Sequence, residues 1–307
     1  MKIKTESIAT ISDIPARSEY GIVKLKHVGR YLAGAVTIAA LLAIGLAFAR
    51  GQINWPTVAE YFTAKAILTG FVLTIVLTVI SMAIGIVLGV LIAVMRLSHN
   101  PVVSGIGWIY VWFFRGTPVY LQLLLWFNIA LIFPTLGIPG IAEARTVDLV
   151  TPLVAAILGL GLNQAAYTSE VVRAGILSVD EGQIEASKAL GVNSLTTMRL
   201  VVLPQAMRVI IPPVGNEVIG MLKATSLASV IGANEILTQA HNIYFVNNRI
   251  MELLIVAAIW YLIAVSVLSV IQYYIERYFA RGSTTAALPP TPLQRAKNFF
   301  GTPGRTK

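Results

Sequence analysis

The sequence has no cysteine, which excludes disulfide frameworks, thiol chemistry and cysteine-held iron–sulfur clusters. Charge is scarce: 12% of the 307 residues are Asp, Glu, Lys or Arg, against roughly 25% in an average soluble domain. The three histidines, His27, His99 and His241, share no ligand spacing with carboxylates, so there is no metal constellation. His99, ahead of Asn100-Pro101, reads as a surface turn. No stretch fits G-x-x-x-x-G-K-[S/T], so the chain carries no P-loop and any ATP-driven work needs a separate subunit. Acids are fewer than bases, 14 against 23, for a net charge of +9. In a soluble protein that excess would suggest nucleic acid; in a membrane protein the positive-inside bias is tested first.

What is abundant is apolar surface. The composition is 56% hydrophobic and the mean hydropathy is +0.77, which identifies a multi-span membrane protein. Residues 1–30 are polar and mixed, without a cleavage box, and are read as a cytoplasmic tail. Tyr31–Ala49 is a first span. Trp55, Tyr61 and Phe62 place 51–63 in an outer interfacial loop. Ala66–Met95 is a second span, long enough to tilt. Its Gly85 and Gly89, with Ser81 one turn earlier, form a small-residue face for close helix contact. Val102–Phe114 and Val119–Phe133 flank Arg115-Gly116-Thr117-Pro118. They predict a short interfacial or partly inserted helix, a kink, and then a crossing, with the broken backbone shielded by protein.

Residues 134–148 form an outer loop rich in turn formers, Leu149–Val172 crosses inward, and Val209–Ile231 crosses outward. Residues 232–248 form another outer loop, and Ile250–Tyr274 is the last span. The tail 281–307 has a disordered composition. This gives six crossings with both termini inside. Of the 23 Lys and Arg, Arg50, Lys65, Arg145 and Arg249 fall outside and Lys223 falls within a span. The rest lie on inner segments, so most of the basic excess is topology rather than nucleic-acid binding.

Residues 178–208 are the one long polar passage in the back half. They predict two short helices about a turn. Ser178 and Glu181 have capping-box spacing, Gly191 suits a left-handed C-cap, Asn193 or Ser194 suits a second N-cap, and Pro204 interrupts the second helix after Leu203. An elbow carrying its own caps suggests a docking surface for another protein. Small residues Gly182, Ala186 and Ser187 would let it lie in a partner's groove, with Glu185 fixing register. Arg199 and Arg208 would meet that partner or anionic lipid.

Polar residues inside spans cost about 2.5–3.5 kcal/mol when charged, and so face protein or a watery cavity. Asn163, Asn216, Glu217, Lys223, Thr225 and Ser226 are the candidate lining of a solute pathway. Asn163 and Gln164 also suit interhelical hydrogen bonding, and Glu170 with Arg173 suits a helix-surface pair.

The elbow resembles the signature cytoplasmic loop of permease subunits of bacterial ABC importers: Glu-Ala-Ala, three residues, Gly, nine residues, Ile-x-Leu-Pro. Here it reads Glu185-Ala186-Ser187, Gly191 and Val201-Val202-Leu203-Pro204. Further matches are similar to the polar amino acid and opine branch. They are Gly70-x-x-x-Thr74, Arg115-Gly116-Thr117-Pro118, Leu203-Pro204-Gln205-Ala206, Pro212-Pro213-x-Gly215-Asn216 and Leu222-Lys223-x-Thr225-Ser226-Leu227. Glu217 and Ala224 stand where members often carry Gln and Asp.

The resemblance, over roughly 65–280, implies an all-α type I importer permease fold, with a five-helix core plus one N-terminal transmembrane helix in 31–64. It implies a bacterial inner-membrane location, a second permease subunit, two cytoplasmic ATPases that hold the ATP and Mg, and a periplasmic or extracellular amino-acid-binding protein. The chain itself would bind no cofactor and would not be an enzyme. ATPase coupling would fall to Glu185, Ala186, Ser187, Gly191, Leu203 and Pro204 within an elbow at 178–204, and import would proceed by alternating access. Competing expectations are an ion-coupled secondary transporter, which should show repeats with interrupted helices, and a scaffold that recruits a cytosolic partner.

Overall fold

The computed structural model describes residues 28–138 and 142–279. Of the tails expected at 1–30 and 281–307, residues 1–27 and 281–307 lie outside the described residues, and 28–30 belong to the first helix. The chain divides at Ile53 into two units. The first contains α1 (Val28–Arg50), a helix apolar on all sides, as suits a span.

The second unit begins with α2 (Trp55–Phe62), capped by the Asn54 side chain, with Pro56 in its first turn. The segment 51–63 is thus partly helical rather than a plain loop. Then come α3 (Lys65–Arg96), α4 (Pro101–Gly116) and α5 (Val119–Phe127). Asn100 caps α4, accepting from the backbone N–H of Val102 and Val103, and Pro101 occupies N1 where its missing N–H is harmless. The break between α4 and α5 falls where the sequence puts it. Thr117 is extended at φ −115°, ψ 142°, as the residue before a proline prefers.

The loop expected at 134–148 is more ordered than its turn formers suggest. Thr135–Ile138 (β1) and Ala142–Arg145 (β2) pair antiparallel, and a short helix α6 (Thr146–Leu149) follows. The otherwise all-α fold therefore carries one two-stranded ribbon. Next are α7 (Pro152–Leu177), α8 (Glu181–Ala189) and α9 (Ser194–Thr197). A π-helical turn at Met198–Val202 leads into α10 (Leu203–Ala224), which ends in a 3₁₀ stretch over Thr225–Ile231. Residues 232–248, read as a loop, hold α11 (Ile236–Asn247), and α12 (Ile250–Phe279) closes the unit.

Among the described residues, four helical stretches are long and apolar enough to cross a membrane: Tyr31–Arg50, Lys65–Arg96, Ser194–Ile231 and Ile250–Phe279. The crossings expected at 119–133 and 149–172 are not among them. The first holds only the nine-residue α5 and a 3₁₀ turn at Ile129–Leu131. The second, α7, is about 39 Å long at ~1.5 Å per residue, but Asn163, Gln164, Glu170 and Arg173 dilute its apolar surface.

α7 is the centre of the second unit and packs on α3, α4, α5 and α10. It runs parallel to α3. Gly161 sits on Ile84, Gly85 on Gln164 and Gly89 on Thr168, in rising order along both helices. Ser81, Gly85 and Gly89 are all buried, so the small-residue face is the α3–α7 seam. Leu77, Met82, Leu123, Leu160 and Met221 form the main apolar cluster beside it.

Candidate functional site

The elbow has the predicted outline with two local differences. Asp180, not Ser178, caps α8, accepting from Gly182 N at 2.8 Å. Ser178 instead ends α7 and donates to Gly175 O. The capping-box spacing misleads because α7 runs on through Leu177, leaving Asp180 as the first residue with the extended backbone an N-cap needs. Gly191 is left-handed at φ +72°. Gly191 N donates to Lys188 O at 2.9 Å and Val192 N to Ser187 O at 3.0 Å, the double bond set of a Schellman end. Asn193 caps α9 through Thr196 N at 2.8 Å.

Pro204 does not interrupt the helix. It lies in the first turn of α10, where no intrahelical donor is lost, and the π turn before it keeps the path helical. The resulting Ser194–Ile231 rod of 38 residues is about 57 Å long at ~1.5 Å per residue, well beyond the ~30 Å bilayer core. The rod is therefore long enough to extend beyond the core.

Within the elbow, Glu185 and Ala186 are exposed and Ser187 is buried, its hydroxyl donating to Gln183 O. Leu203 and Pro204 are exposed. Leu190 and Leu195 belong to none of the motifs quoted above. They are apolar residues in a polar passage, yet 82% and 80% exposed. The signal was their position beside the caps, where no helix face buries them.

The second polar feature is the α4–α5 break. Gln122 Nε2 donates to Phe114 O at 3.0 Å, Thr117 O at 3.1 Å and Thr117 Oγ1 at 2.7 Å. Asn163 Nδ2 reaches Phe114 O at 2.8 Å and Gln122 Oε1 at 3.2 Å. These amides satisfy carbonyls that the broken helix leaves open. Asn163 therefore ties α7 to the break.

Third, Glu217 on α10 accepts from Gln164 Nε2 and Thr168 Oγ1 of α7, both at 2.8 Å. Its neighbour Asn216 faces the other way and donates to Glu276 of α12 at 3.3 Å. Gln272 on α12 donates to Glu276 at 2.9 Å and to Pro212 O at 2.8 Å, beside the proline pair inside α10. Lys223 is exposed, Ser226 donates to Lys223 O, and Thr225 is fully buried with its hydroxyl on Leu222 O. The six pathway candidates thus divide among several faces instead of converging on one spot.

Fourth, Glu170 and Arg173 are more than a surface pair. Arg173 Nη2 lies 3.0 Å from Glu170 Oε2, Arg96 from α3 bonds the same carboxylate, and Arg115 from α4 lies 3.8 Å away. The Arg115 guanidinium also lies over the Tyr167 ring, 5.2 Å from its centroid. Three helices meet at one acid, which no spacing in the sequence could show.

Fifth, Glu235 between α10 and α11 is fully buried. It caps α11 through Leu237 N (2.8 Å) and Thr238 N (2.7 Å), and accepts from Thr238 Oγ1 (3.0 Å) and Tyr261 OH (3.1 Å). Burial pushes its carboxyl up, while those four bonds pull it down.

An open cavity of about 840 Å³ lies between α3, α7 and α10, bordered by Val90, Val172 and Ile210, with Thr168 among its few polar residues. No group of three or more His, Cys, Asp and Glu suited to a metal ion occurs among the described residues.

The chain is similar to transport proteins along most of its length. It is 47% identical over 264 residues to the arginine transport system permease protein of Corynebacterium glutamicum, covering 85% of this chain and 83% of that one. It is 40% identical over 178 residues to the nopaline transport system permease protein of Agrobacterium fabrum, covering 58% and 72%. A solved amino acid ABC transporter with histidines superposes at a TM-score of 0.65 with 32% identity, over 74% of this chain and 100% of that one. The multi-pass helical fold is that of a type I ABC-importer permease. Residues 85–281 match the binding-protein-dependent transport system inner membrane component, and the chain belongs to that family, as the permease of an ABC importer and not its ATPase.

Proposed function

We propose that this chain is the permease subunit of an ATP-driven importer of polar amino acids, working by alternating access. Relatives named for arginine and nopaline transport support an amino-acid-like solute. Glu217 and Asn163, polar groups held inside the helix packing, support a polar one.

The working assembly has two permease subunits, two cytoplasmic ATPases that hold ATP and Mg, and a periplasmic or extracellular binding protein. The permease domain spans 65–280, with a five-helix core. The 31–64 segment adds an N-terminal transmembrane helix, and both termini are cytoplasmic, as the distribution of Lys and Arg favours. Asn163, Asn216, Glu217, Lys223, Thr225 and Ser226 are the candidate pathway residues, placed at different points and not as one site.

The observation that carries the reading is the elbow. Its Schellman turn at Gly191 and Asn193 cap give a rigid unit, and Leu190 and Leu195 are exposed apolar residues for a partner groove. Glu185, Ala186 and Ser187 set the register of that contact. Leu203 and Pro204 begin α10, the rod that transmits ATPase closure to the spans.

The test is uptake of labelled L-amino acids by proteoliposomes that contain the chain, its ATPase and its binding protein. Uptake that requires ATP supports the reading. Uptake that survives ATP depletion and collapses with an ionophore contradicts it.

A further inference from the structure

Asn163, Tyr167, Glu170 and Ala174 follow one another by three or four residues, so they share one face of α7. The face is polar in its upper three positions, and Tyr167 and Ala174 are exposed on it. At Glu170 three guanidinium groups meet one carboxylate, leaving two positive charges in excess. Arg96 and Arg173 both hydrogen-bond the carboxylate. Arg115 stands off at 3.8 Å with 44% of its side chain exposed, steadied by the face of the Tyr167 ring. A guanidinium so placed is pre-oriented and short of negative charge, the condition under which it takes a carboxylate through paired N–H bonds.

Glu170 lies seven residues before the end of α7, about 10 Å at ~1.5 Å per residue. The site is therefore inside the inner half of the crossing, below Asn163 on the same face.

We propose that Arg115, held by Tyr167 and Glu170, is a way-station on the inward side of the pathway that binds the carboxylate of the passing solute. The assignment rests on the importer reading above. The solutes in the relatives' names differ in side chain but share a carboxylate, so a site for that group serves the branch without setting its specificity. Glu170 acts as a positioning residue, keeping Arg96 and Arg173 engaged so that Arg115 remains the available donor.

The absence of cysteine makes a single-cysteine reporter clean. Ala174→Cys places a thiol on this face, one turn below Glu170, without touching the arginines. The full complex with its ATPase, nucleotide-free in phosphatidylcholine liposomes, is treated with a neutral thiol reagent. The treatment is repeated with an equimolar mixture of the twenty L-amino acids and with the matching decarboxylated amines.

The amino acids should slow labelling about tenfold, the scale of one charge-assisted contact, and the amines should not. Arg115→Gln should abolish the protection, and Arg115→Lys, which keeps the charge, should retain part of it. Equal labelling with and without amino acids, or equal protection by the amines, overturns the site. So does protection by added phosphatidylglycerol without solute, which would make the site a lipid-headgroup contact. ATP-driven uptake of the same mixture is measured in parallel. Uptake without protection defeats the way-station alone, whereas absence of uptake defeats the importer reading and the way-station with it.

Discussion

Thr168 Oγ1 stands 2.8 Å from Glu217 Oε2, joining α7 to α10 across the wall of the apolar cavity. Gln164 donates to the same oxygen, so one carboxylate satisfies two donors inside the helix packing. Glu217→Leu removes the acceptor and leaves both donors without it, costing about 1–3 kcal/mol. Glu217→Gln keeps a carbonyl oxygen for them and should cost less. Thermal unfolding in detergent checks the order: wild type, then Gln, then Leu.

Gly191 needs its backbone, not its space. A Cβ there meets nothing within 4 Å, but φ is +72°. Gly191→Val therefore costs roughly 1–2 kcal/mol of backbone strain without any clash. Asn, which tolerates this region, should be accepted. The expected result is a valine variant that assembles in the membrane and hydrolyses ATP with reduced solute stimulation, and an asparagine variant close to wild type. Equal stimulation in all three would remove the turn from the coupling path.

Gly89 needs space. A Cβ would lie 2.9 Å from Thr168 Cβ and 3.0 Å from the Ala165 carbonyl oxygen, and the latter is backbone that cannot step aside. Gly89→Leu should separate α3 from α7 and cost about 1–3 kcal/mol or more. Gly105, with nothing within 4 Å, is the control position. Monodisperse yield after detergent extraction should fall for the first and not for the second.

Glu235 holds the start of α11 against α12. Glu235→Ala removes a helix cap worth about 0.5–2 kcal/mol and leaves Tyr261 OH without its 3.1 Å partner. Glu235→Gln retains one acceptor oxygen for the backbone donors. Hydrogen exchange over 232–247 should accelerate most in the alanine variant, with α3 unchanged.

Features fixed by local chemistry were legible in the sequence. Gly191, Asn193, the break before Pro118 and the small-residue face at Gly85 and Gly89 each follow from one residue's backbone or size, and each stands where it was expected. Features fixed by distant partners were not. Glu170 gathers Arg96 and Arg115 from 74 residues and 55 residues away in the chain, and Asn163 reaches the Phe114 carbonyl 49 residues back; no window along the sequence contains both ends. The β1–β2 ribbon was hidden for another reason, since Pro134, Gly137, Pro139 and Gly140 signal turns without stating that the flanks pair. Pro204 was misread because the same residue that breaks a helix interior is welcome in a first turn, and only the π turn before it shows which case applies.

An ABC permease works only if its elbow meets an ATPase on the cytoplasmic side. In the cysteine-free chain, Leu190→Cys puts one thiol at an exposed apolar tip. In sealed, right-side-out vesicles of the assembled complex, an impermeant maleimide should leave it unlabelled, and a short bifunctional linker should join it to the ATPase subunit. Labelling from outside, or a cross-link to the binding protein instead, would contradict the account.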